Sequence, residues 1–199
     1  MQDIINQYKN DIRSKEVYPV KQSKIQEDNV LILKRSTAES LIKQGLLRRP
    51  DDVKDPNFAN VHALKALRNT DKDTVLLLSR HDTNTENKQP LKTLKAITIN
   101  GMTCKVQHDD PAWFGYAPDF NFDAIVAVMS DEIFTKIPVQ ETNMATVQFQ
   151  KNYGTLRDGG MGLSESDTDV QQKNTEWLRL TKTIQKYAKY VKDISFSKK

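Results

Sequence analysis

The densest group of reactive side chains runs from His108 to Asp123. Here His108, Asp109, Asp110, Asp119 and Asp123 are interleaved with Trp113, Phe114, Tyr116, Phe120 and Phe122. Hard divalent cations prefer oxygen ligands, so Asp109, Asp110, Asp119 and Asp123 form a candidate Mg2+ site if the segment folds back on itself. A bound cation would lower the pKa of an attacking water, and His108 joins the acids as a candidate catalytic group. The plainer alternative is that the rings pack the loop onto a core while the acids cap its turns. Trp113, Phe114 and Tyr116 are in addition candidate anchors for a partner protein, because buried aromatics dominate interface energies.

Other chemical signals are isolated. His81-Asp82 follows a strand end but stands as a lone pair, and His62 reads as a packing or surface residue. Gly159-Gly160-Met161-Gly162 lacks the Lys-Ser/Thr ending of a phosphate loop. The single cysteine, Cys104, excludes an internal disulfide and a cysteine-rich zinc site, and it is expected to point into the core.

Around these residues, spacing indicates the elements that must hold them. Ile4, Ile5, Tyr8 and Ile12 recur at helical intervals over residues 2–14, and a linker with Pro19 follows. Residues 30–33 are a buried strand, and Ser36-Thr37-Ala38-Glu39 has the pattern of a capping box that opens a helix closed by Gly45. Phe58, Val61, Leu64 and Leu67 predict a helix over 57–68, and Thr74 to Ser79 a strand. Asn100-Gly101, flanked by alternating apolar and polar residues from Ile97 to Val106, predicts a β-hairpin with a type I′ turn. Strands are expected over 122–129, 133–139 and 144–150, then a glycine-rich acidic loop over 154–169. A helix from about Val170 to Asp193 has an apolar seam of Trp177, Leu180, Ile184, Tyr187 and Val191.

The expected architecture is α+β, with N-terminal helices, a central and mainly antiparallel sheet with hairpins, and a long C-terminal helix. With 199 residues, 37% hydrophobic and 28% charged, one domain over 1–199 is expected: 1–70 mainly helical, 71–153 sheet, 154–169 loop and 170–194 helix. No apolar run approaches membrane-spanning length and the first residues do not read as a signal peptide, so a cytoplasmic location is expected. Net charge is +4, yet residues 171–199 alone hold eight Lys or Arg against two acids. Lys182, Lys186, Lys189 and Lys192 are therefore candidates for gripping the phosphates of DNA.

The order of hairpin, polar loop, Phe122-Asp123-Ala124-Ile125-Val126-Ala127-Val128, turn and Ile133-Phe134-Thr135-Lys136-Ile137-Pro138-Val139 resembles the sheet of restriction-endonuclease-like nucleases. That resemblance covers about residues 94–150. It implies a metal-dependent phosphodiesterase, with Asp119 and Asp123 on Mg2+ and Lys105 beside the scissile phosphate. The chain departs from the family's motif: Thr103-Cys104-Lys105 keeps only the lysine, and no acid lies near Lys95-Ala96. A nuclease-like site, active or degenerate, is the first functional expectation. The second is a non-enzymatic adaptor or inhibitor of a phage or other mobile element that acts through protein contacts.

Overall fold

Three contiguous apolar runs, Val30 to Leu33, Val75 to Leu78 and Ile125 to Met129, are buried almost completely. Continuous rather than alternating apolarity marks strands covered on both faces, and these three lie side by side at the centre of a sheet. The structure is a computed structural model that describes residues 6, 8–53, 60–79, 91–115, 124–150 and 168–188.

The strands are β1 (Ile12–Ile25), β2 (Asp28–Lys34), β3 (Leu47–Pro50), β4 (Val61–Ala63), β5 (Thr74–Ser79), β6 (Ala96–Ile99), β7 (Met102–Asp109), β8 (Trp113–Phe114), β9 (Ile125–Met129) and β10 (Glu141–Phe149). Three helices are described: α1 (Arg35–Lys43), α2 (Asp131–Lys136) and α3 (Thr168–Gln185). Seven strands form one sheet in the order β10-β1-β2-β9-β5-β7-β6, and β4-β3-β8 form a second. The α+β expectation is thus corrected to a mainly β chain. The large sheet is mixed, since β2 and β9 run parallel, as do β5 and β7, while β5 and β9 run antiparallel.

Local chemistry explains where expectation and structure part. Of the expected helix over 2–14, Asn6 is helical and residues 2–5 and 7 lie outside the described part; the chain then turns at Tyr8 to Asp11 and enters β1, with Pro19 inside the strand rather than in a linker. Pairing of β1 with β2 begins at Val20, so the proline's missing N–H interrupts no bond of that ladder. In the expected helix over 57–68, residues 61–63 pair with β3, and Leu64 and Leu67 are buried in an irregular run whose spacing of three imitates a helix. Residues 54–59 lie outside the described part.

The expected strand from Ile133 is instead α2. Ser130 caps it by accepting a bond from the Ile133 amide at 3.3 Å. Asp131 and Glu132 sit at its positive end and Lys136 at its negative end. These cap and dipole terms outweigh the β-branched Ile133 and Thr135. The Asn-Gly hairpin is present, with Asn100 and Gly101 at φ 45° and 85° and Ile99 opposite Met102. Helix α3 ends at Gln185, short of the expected Asp193.

Two compact units are distinguished, residues 18–144 and residues 1–17 with 145–199. The first holds the main core, in which Phe134 and Ile137 join Val30, Ile32, Leu77, Ile97, Ile99 and Ala127. In the second, Tyr8 and Leu180 are buried with Ile12, Phe149 and Ile184 against them, and the Tyr8 and Phe149 rings meet edge to face at 6.3 Å.

Candidate functional site

Strand β7 carries three of the expected site residues, and the alternation of a strand separates them at once. Lys105 and Asp109 fall on one face and His108 on the other. Lys105 and Asp109 are also four residues apart, roughly 13 Å along an extended strand. They do not meet.

Asp109 is buried at 7% exposure, beside guanidinium groups from two other segments. Its Oδ2 lies 3.1 Å from Arg49 Nη2, and its Oδ1 lies 3.7 Å from Arg68 Nη2 and accepts the Asp110 amide at 2.8 Å. Arg49 also donates to the Asp110 carbonyl at 3.2 Å, and its other nitrogen lies 3.9 Å from the Asp110 carboxylate. Arg49 stands on β3, so the cluster ties the three-stranded sheet to the end of β7. Both carboxylate oxygens of Asp109 are engaged by donors. A divalent cation there would stand against two guanidinium charges, so the residues do not fit a Mg2+ centre. Among the described residues, no group of three or more His, Cys, Asp or Glu is placed to hold a metal ion. Asp119, Asp123 and Tyr116 lie outside the described residues.

Lys105 pairs with Asp73 at 3.0 Å on the surface, where both side chains are mostly exposed. The hydrogen bond and charge of Asp73 push the Lys105 ammonium up, and those of Lys105 hold the Asp73 carboxyl down. An amine held more firmly protonated is a poor proton acceptor. His108 Nε2 lies 3.0 Å from the Leu94 carbonyl, which can only accept, so the neutral ring carries its proton there. Among the described residues its buried Nδ1 has no hydrogen-bond partner. Trp113 and Phe114 are buried as β8, paired with Arg48 and Leu47 of β3, so they pack inside the chain. Cys104 is buried in β7, and burial pushes its thiol up.

Several ordering residues carried no signal in the sequence. Lys21 is 4% exposed and donates to the Phe134 and Ile137 carbonyls at 2.6 and 2.8 Å, closing the end of α2. Its ammonium lies 4.8 Å from the centre of the Phe134 ring, and burial pushes its pKa down. The parallel strands β2 and β9 run directly into α1 and α2, an arrangement that brings the two helix starts together. In open parallel sheets that crevice commonly receives an anion. Here the chain supplies its own. Asp131 accepts the Ser36 amide at 3.3 Å and the Ser36 hydroxyl at 2.6 Å. Ser36 is therefore not the first residue of a capping box, and Glu39 pairs with Arg35 at 3.1 Å. Lys182 on α3 and Lys186 on the turn after it are exposed, while Lys189 and Lys192 lie outside the described residues.

Fold and site together define a mixed-sheet domain in which the described buried charges bind one another and the backbone. Residues 1–180 match the model of an uncharacterised lipoprotein family, and the chain belongs to that family. A solved structure of a candidate lipoprotein from Bacillus anthracis has a similar fold, with a TM-score of 0.59 and 22% identity over 76% of this chain and 78% of that one. No curated protein matches.

This membership overturns the nuclease resemblance, the DNA-associated function with its phage or mobile-element alternative, and the cytoplasmic location. The nuclease likeness rested on strand texture. One of its strands is the helix α2, and its lysine is bound to Asp73 on the surface. No helix among the described residues is long and apolar enough to cross a membrane.

Proposed function

We propose that this chain is the protein part of a lipid-anchored envelope protein, held on the outer side of a membrane. The observation that carries this reading is the match of residues 1–180 to a lipoprotein family. The site geometry is compatible with it. The described buried charges of residues 18–144 hold strands and helices together, which suits a stable display domain. Cys104 does not carry the anchor, because an acyl chain on a thiol 5% exposed would displace the core around it.

The test is fractionation of cells that express the full gene product, with metabolic labelling by an alkyne fatty acid. The expected result is a labelled protein in the membrane fraction that protease added to intact cells or protoplasts degrades. An unlabelled protein in the cytosolic fraction would overturn the reading.

A further inference from the structure

Residues three and four apart on a helix share a face, so Arg179, Lys182 and Lys186 line one stripe along the end of α3 and the turn after it. All three are exposed, and among the described residues none of the three takes part in an ion pair. The opposite face is anchored, since Leu180 is buried against Tyr8 with Ile184 beside it. The stripe therefore points to solvent.

Solvated lysines on an amphipathic helix are ordinary, and the negative end of the helix dipole favours cations in the last turn. Neither effect explains Leu178. It is 45% exposed, one of four exposed large apolar side chains among the described residues, and its angular position borders Lys182. An exposed apolar residue beside a basic stripe is the pattern of a helix resting at a bilayer interface, with the apolar group entering the headgroup layer and the cations on phosphate. The charge is local as well, since residues 171–199 hold eight Lys or Arg against two acids while the whole chain carries only +4.

We propose that Arg179, Lys182 and Lys186, with Leu178 beside them, form a face that docks on the anionic phospholipid headgroups of a bilayer. The proposal rests on the lipid-anchored reading, because an anchor places the domain within reach of such a surface.

The test is sedimentation of the full chain, without an acyl group, with vesicles of phosphatidylcholine alone or containing phosphatidylglycerol. Partition onto the anionic vesicles is expected to fall on the order of 100-fold in Arg179→Gln/Lys182→Gln/Lys186→Gln. It is also expected to fall steeply with salt. Arg179→Lys retains binding, and Leu178→Ser weakens it by a smaller factor. The circular dichroism and urea midpoint of the triple variant should equal those of the parent, which excludes misfolding. Equal partition of parent and triple variant, equal binding to both vesicle types, or binding to soluble poly(glycerol phosphate) but not to vesicles would each overturn the proposal. None of these results bears on the fractionation, so failure of this proposal is distinguishable from failure of the lipid-anchored reading.

Discussion

Two ion pairs on the same strand have opposite surroundings. At one end of β7, Asp109 and Arg49 meet with side chains 6% and 18% exposed; four residues earlier, Lys105 and Asp73 meet at 74% and 63%. Their lengths, 3.1 and 3.0 Å, are nearly equal, so distance does not tell them apart. Solvent does. Water screens the exposed pair, whereas removing one member of the buried pair strands a charge that has already lost its hydration. Asp109, one of the residues that sequence reasoning assigns to metal chemistry, thus holds two arginines instead, and the lysine assigned to catalysis sits at the surface.

The largest effect should come from Asp109→Ala. It leaves Arg49 and Arg68 facing each other without their shared carboxylate and should cost about 3 kcal/mol in urea unfolding. A loss near zero would place Asp109 with the surface pairs. Next is Lys21→Met, which removes both bonds to the end of α2 and should cost about 2 kcal/mol. Its pH dependence sharpens the contrast. Burial makes the folded chain bind the Lys21 proton less tightly than the unfolded chain, so the parent gains stability relative to Lys21→Met as pH rises toward the ordinary lysine value of about 10.4. Urea midpoints measured from neutral pH to that value check the sign.

Ser130→Ala removes the cap of α2 and should cost about 1 kcal/mol by the same assay. The smallest effect belongs to Lys105→Gln, which should lower the urea midpoint only slightly at neutral pH, because water screens the pair. It should also return the Asp73 carboxyl to its ordinary range in an NMR titration. In the parent, that pair's contribution is present above the ordinary aspartate pKa and is lost as pH falls through the depressed folded value.

These contrasts also mark what the sequence could disclose. The Asn100-Gly101 hairpin and the apolar strands β5 and β9 were legible, because a left-handed turn and an unbroken apolar run each have few structural solutions. Among the described residues 60–68 the expected helix is not there, because residues 61–63 pair with β3 and Leu64 donates to Leu47, while the spacing of Leu64 and Leu67 at three imitates a helix. The start of α2 is written in Ser130-Asp131-Glu132, but the same residues read as a turn and the β-branched residues after them as a strand. The role of Asp109 depends on Arg49, sixty positions away in the chain, and no local pattern reveals a pairing at that distance. Lys21 was silent for the same reason, its acceptors being backbone carbonyls of α2 and the residue after it.

The most direct test of the central claim is a double-mutant cycle on Asp109 and Arg49, followed by urea unfolding. If this carboxylate serves the fold, Asp109→Ala and Arg49→Ala should couple by about 2 kcal/mol. Additivity of the two losses within about 0.5 kcal/mol would contradict the account and free Asp109 for another role.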